Sequence, residues 1–121
     1  MFNDIIIGHF RNPRNAGELQ DSNVQVEVSN PVCGDILRLS ARIERNRIAA
    51  VRFKTQGCVA AIAASSLLTE LLAGKSPEEA RAINAEIVSG SLGGLPPASL
   101  HAAQLCVDAV AALIRKFPGA R

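Results

Sequence analysis

Ile36-Leu37-Arg38-Leu39-Ser40-Ala41-Arg42-Ile43 alternates apolar with polar or small residues, and after Glu44-Arg45-Asn46-Arg47 the alternation returns from Ile48 to Phe53. Two runs of period two, separated by a short polar segment, predict antiparallel strands joined by a hairpin turn. Upstream, Val24 to Val28 alternates as well, which adds a third strand and makes a meander the economical arrangement. The loop carrying Cys33 then links the first strand to the second. Downstream of Gly57-Cys58 the composition turns to alanine, leucine and serine, and Ala60 to Ala73 predicts a helix stopped at Gly74. Ser76-Pro77-Glu78-Glu79 has an N-cap serine, proline at the first helical position and glutamate three residues after the cap, the pattern of a capping box opening a short helix. Ser89 to Pro97, rich in glycine and proline, predicts a loop, and Ser99 to Phe117 a long terminal helix ended by Pro118-Gly119. At the other end Phe2, Ile5, Ile6 and Phe10 recur at helical spacing before the turn formers Asn12-Pro13-Arg14-Asn15-Ala16-Gly17. The expected fold is α+β: a three-stranded antiparallel sheet packed against helices, with a short N-terminal helix and a long C-terminal one, in a single domain over residues 1–121.

The chain has 121 residues, enough for one core of ordinary size. Its formal charge is only +2, and the ten arginines and three lysines are scattered, so no basic run tracks a phosphate backbone and nucleic acid binding is not expected. The apolar stretch beside Cys58, Val59 to Ala64, is too short to span a bilayer, and Met1 to Phe10 lacks the basic start and cleavage site of a secretory signal. A cytoplasmic protein without membrane contact is expected. There an odd number of cysteines, three, points to free thiols or metal ligands rather than disulfides. Four Phe and no Trp or Tyr leave the core to aliphatic residues.

Cys33-Gly34-Asp35, directly after Asn30-Pro31-Val32, places a thiolate and a carboxylate two residues apart with a glycine between them to let the backbone turn. Both can reach one ion from a short loop; Asp35 alone can also be a turn residue bonding nearby amides. Cys58 lies where the third strand gives way to a helix, so the helix dipole and free amides there favour its thiolate; the alternative is a small buried residue in an alanine-rich segment. His101, after the Leu95-Pro96-Pro97 turn, either joins the two thiolates or is a solvated helix-end imidazole. His9 has no ligand-type neighbour in sequence and is given no metal role.

These residues belong to a longer ordered set: His9-Phe10-Arg11-Asn12-Pro13-Arg14-Asn15-Ala16-Gly17, Asn30-Pro31-Val32-Cys33-Gly34-Asp35, Gly57-Cys58 with Ala63-Ala64-Ser65-Ser66, Gly74-Lys75, and Leu95-Pro96-Pro97 before His101. In this set the chain resembles the IscU/NifU N-terminal type of iron-sulfur cluster assembly scaffold from end to end. The resemblance implies a non-enzymatic scaffold that builds a transient 2Fe-2S cluster from iron, with sulfur delivered as persulfide by a cysteine desulfurase, and passes it to apo-proteins. By position it implies Cys33, Cys58 and His101 as ligands and Asp35 as the residue that keeps the cluster labile. The chemistry agrees, because a hard carboxylate is a poorer partner than thiolate for a soft iron-sulfide core. Zinc fits the same mixed site in the cluster-free form.

The chain departs from the family pattern in two places. Where a third cysteine follows the histidine, it has Ala102, and the remaining thiol is Cys106. Cys106 is displaced by about 6 Å along a helix from Ala102 and by about 140° from His101. It reads as a packed thiol on an apolar stripe with Ala102, Ala109 and Leu113, the alternative being a displaced ligand. Persulfide acceptance then falls to Cys58 or Cys33. Leu95-Pro96-Pro97-Ala98-Ser99 stands where the family's chaperone-recognition segment is usually Leu-Pro-Pro-Val-Lys, and the lost positive charge predicts weak or absent stimulation of the specialised chaperone pair. Two other functions compete with the scaffold: a zinc-bound persulfide carrier that builds no cluster, and a degenerate paralogue that binds metal or a partner without assembly.

Overall fold

The computed structural model describes residues 2–32 and 34–118. Strands β1 (Val24–Ser29), β2 (Ile36–Glu44) and β3 (Arg47–Gln56) form one antiparallel sheet in the order β1-β2-β3. Arg45 and Asn46, with φ of +54° and +62°, make the two-residue turn of the second hairpin, the left-handed pair whose twist suits the flanking strands. The register slips between Arg42 and Ile43, so that Arg42 faces Ala50 and Ile43 faces Ile48, with Ala49 as the extra residue of a bulge. The bulge explains why Ile48 and Val51, of opposite parity in the strand, are both buried.

The helices are α1 (Asp4–Arg11), α2 (Val59–Leu72), α3 (Pro77–Arg81), α4 (Ala85–Ser91) and α5 (Leu100–Arg115), the last entered through one turn of 3-10 helix, Pro97–Ser99. Leu37 and Leu39 of β2 and Phe53 of β3 meet Ala60, Ala64, Leu68 and Leu72 of α2 and Leu105, Ala109 and Leu113 of α5 in one hydrophobic core. Helix α2 is buried almost all round, the condition in which a uniformly apolar helix is stable, and its alanines let neighbours come close. Gly74, φ +79°, ends α2 and turns the chain onto the free edge of β3, where Gly74 donates to the Ile48 carbonyl and Ile48 to that of Lys75. Further along the same edge Ala16 bridges Phe53, so β3 presents little unpaired backbone. The capping box of α3 is formed in both directions between Ser76 and Glu79.

The expectation of a loop over residues 89–97 is corrected at its start, because α4 runs to Ser91. Asn84 caps it by accepting from the Ile87 amide at 2.8 Å, and Val88, fully buried, anchors it to the core. That packing outweighs the poor helix propensity of Ser89-Gly90-Ser91. The run Pro97–Arg115 is long and apolar enough to cross a membrane by length and composition, but half of it is buried in the core.

The segment after α1 is fastened to α2. Ser66 Oγ accepts from the Arg14 amide at 2.8 Å and lies 2.8 Å from His9 Nδ1, so its own hydrogen is assigned to that nitrogen. His9 then carries its proton on Nε2, 3.5 Å from Glu70 Oε1. Burial, and next the Arg14 charge, hold the His9 pKa below its ordinary 6.5 against the pull of Glu70. Between the folded-state pKa and 6.5 the unfolded chain therefore binds more protons than the folded one. The contribution of His9 is complete above pH 6.5 and declines as pH falls below it. Chemical denaturation at pH 7.5 and 5.5 should show lower stability at the acid pH, and His9→Gln should narrow the difference; an unchanged difference would remove His9 as its source.

Candidate metal centre

Asn30 closes the loop between β1 and β2: its carbonyl accepts from Gly34 (2.7 Å), its amide donates to the Asp35 carbonyl (2.8 Å), and its side chain accepts from the Val32 amide (2.9 Å). Gly34, at φ +74°, supplies the left-handed step that a side chain resists. Beyond it Ile36 pairs with Gln56. One residue past that pair, the antiparallel register sets Asp35 beside Gly57 and so next to Cys58. Cys33 lies outside the described residues.

Cys58 is the N-cap residue of α2 and is exposed; its side chain makes no capping bond, and the first turn holds no acidic residue. His101, second residue of α5, is partly buried, whereas Asp35 is buried. The three donor atoms converge: Cys58 Sγ is 3.8 Å from Asp35 Oδ2 and 3.7 Å from His101 Nε2, and His101 Nε2 is 3.4 Å from Asp35 Oδ2. Zinc–ligand bonds of about 2.0–2.3 Å give tetrahedron edges of about 3.3 Å between N and O and about 3.6 Å to S. The observed separations are close to three edges of such a tetrahedron. A mixed sulfur, nitrogen and oxygen set of this size suits zinc or iron, and three donors leave the fourth vertex of the tetrahedron for a further ligand.

Asp35, Cys58 and His101 are the residues the structure brings together. Cys106 is not with them. It is fully buried, and burial pushes its thiol up to about 12, which keeps it protonated at neutral pH. Ala102, beside His101, is also fully buried, so adjacent residues about 100° apart on α5 divide between site and core. Cys106→Ala should cost about 1 kcal/mol of stability for the lost sulfur and leave zinc affinity within about twofold. A large loss of zinc affinity would make Cys106 a ligand. Asn30 and Gly57 do not stand out as individual site residues in the sequence. An Asn-Pro pair before a Gly marks a closed turn, the available signal for Asn30; for Gly57 none is local.

A three-stranded meander backed by an alanine-rich helix, with Asp, Cys and His donors gathered where strand gives way to helix, defines a small domain with a candidate metal site. The family of NifU-like N terminal domains matches residues 1–121, and the chain belongs to it. It is 44% identical over 110 residues to an iron-sulfur cluster assembly scaffold protein IscU of Archaeoglobus fulgidus, spanning 91% of this chain and 72% of that one. It is 42% identical over 120 residues to the corresponding IscU protein of Haemophilus influenzae, spanning 96% and 94%. The N-terminal part of a nitrogen-fixing NifU-like protein from Brucella abortus superposes with a TM-score of 0.64 at 18% identity over 93% of this chain and 80% of that one, which bears on the fold alone.

Proposed function

We propose that this protein is a non-enzymatic scaffold on which 2Fe-2S clusters are assembled transiently, from iron and from sulfur supplied by a cysteine desulfurase, and from which they pass to apo-proteins. The observation that carries the reading is the tetrahedral spacing of Asp35, Cys58 and His101 donors in a member of this family. Cys33, two residues from Asp35 and hence within about 7 Å of it along the chain, is assigned as the further thiolate ligand. The cluster is cargo. Its donors include the exposed Cys58, open to a partner, while the shallow groove of about 220 Å³ around Glu27, Arg38 and Lys54 contains none of the three described donors. Only one of the three described donors is a thiolate, which favours release over permanent storage. Zinc is the assigned occupant when no cluster is present, and the cytoplasm the assigned compartment. The whole of residues 1–121 is assigned to one scaffold domain. Ser99 is buried at the start of α5 and presents no charge there, in keeping with weak stimulation of a chaperone pair.

The test is transfer: anaerobically loaded protein mixed with an apo-ferredoxin should lose its visible absorption as the acceptor gains its own. Persistence of zinc, with persulfide carried but no cluster passed on, would select the sulfur-carrier reading. Asp35→Ala should lengthen the half-life of the loaded form by removing the hard ligand; a shorter half-life would contradict the role given to Asp35.

A further inference from the structure

Gly57 precedes the ligand Cys58, and its backbone does not explain why it is glycine. Among the described residues the glycines with positive φ are Gly17, Gly34, Gly74, Gly93 and Gly94; Gly57 is not one of them. Any residue adopts its conformation, so the reason must be space. A Cβ built on Gly57 would lie 2.7 Å from Asp35 Oδ1, 2.8 Å from Asp35 Cγ and 3.2 Å from Ala61 Cβ. The first two separations are shorter than real carbon contacts, and the atoms they meet are the carboxylate that faces Cys58 and His101. Among the described residues that carboxylate has Cys58 Sγ and His101 Nε2 as its polar partners. Among the described residues no amide donates to it.

We propose that Gly57 is a positioning residue: the missing side chain is the slot in which the Asp35 carboxylate lies, and it fixes the oxygen ligand at its tetrahedral distance from Cys58 and His101. This rests on the reading of Asp35 as a ligand. A methyl group in the slot is relieved most cheaply by rotating the Asp35 side chain, since a terminal carboxylate moves more readily than the backbone of β3 or α2. The rotation carries the oxygen out of the site. Gly57→Ala therefore acts on metal binding through Asp35, as an outer-shell change does when it misaligns a ligand.

The experiment is a double-mutant cycle on the full chain with Gly57→Ala and Asp35→Ala, read in two ways. The first reading is Co²⁺ affinity, from its visible absorption in competition with a chelator. Gly57→Ala should weaken binding about tenfold in the wild-type background and by less than about twofold once Asp35 is alanine. The second reading, without metal, is the denaturant midpoint. Gly57→Ala should lower it in the wild type and lower it less beside Asp35→Ala, where only the Ala61 contact remains. Equal effects in both backgrounds, in either reading, would overturn the proposal. If the wild type binds no Co²⁺, the assignment of Asp35 as a ligand fails, while the metal-free cycle still decides whether Gly57 holds the carboxylate.

Discussion

Cys58→Ser abolishes metal binding and slightly stabilises the metal-free protein: this pair of opposite effects is the largest expected from the site. Cys58 Sγ touches both other described donors, at 3.7 and 3.8 Å. A serine hydroxyl is shorter, hard and protonated at neutral pH, so the loss in zinc or Co²⁺ affinity should exceed about 100-fold, the upper end of what outer-shell changes cause. The same position is the N-cap of α2 and has no side-chain cap. Serine is among the best N-cap residues, and its oxygen can accept from the amides of the first turn, a gain of about 0.5–1 kcal/mol. Competition with a chelating dye and denaturation of metal-free protein measure the two effects. Retained affinity would remove Cys58 from the ligand set, and a fall in stability would contradict its placement at the cap.

Ser66→Ala should have the largest effect on stability outside the apolar core. The hydroxyl accepts from the Arg14 amide and meets His9 Nδ1, both at 2.8 Å, and Ser66 is fully buried. Alanine leaves the Arg14 amide without its partner and His9 Nδ1 with only the Arg14 guanidinium, 3.3 Å away, a loss of about 1–3 kcal/mol. Denaturant unfolding should show the midpoint lowered with an unchanged slope, and zinc affinity kept within a few fold because Ser66 lies two turns of α2 beyond Cys58. A change below about 0.5 kcal/mol would mean that α1 and the segment after it are held by apolar contacts such as Ile6 alone.

The parts of the molecule legible in the sequence are those governed by local chemistry. Alternation from Val24, Ile36 and Ile48 marks the strands, Glu44-Arg45-Asn46-Arg47 the turn, Gly74 the end of α2 and Ser76-Pro77-Glu78-Glu79 the capping box, because each depends on neighbours within a few residues. Helix α4 was hidden by Ser89-Gly90-Ser91, since its stability comes from Val88 packing rather than propensity. The bulge at Ala49 left no mark, as a single extra residue does not disturb an alternation already loose at Ala49-Ala50. At the site, the cysteines and Asp35 stood out by type, and His101 through the family pattern. Their convergence depends on the Ile36–Gln56 register and on how α5 crosses α2, neither of which has a local signature. The partner of His9 has no local signature either, because Ser66 is 57 residues away.

Anaerobic reconstitution with ferrous iron, cysteine and a cysteine desulfurase, followed by visible absorption and by counting iron and acid-labile sulfide per chain, tests the central claim most directly. Protein is quantified by amino-acid analysis, since the chain has neither Trp nor Tyr. The account predicts iron and sulfide in equal amounts with a 2Fe-2S spectrum in the wild type and in Cys106→Ala, and neither in Cys58→Ser. Zinc held firmly with no sulfide incorporated, in a chain whose donors are intact, would contradict it.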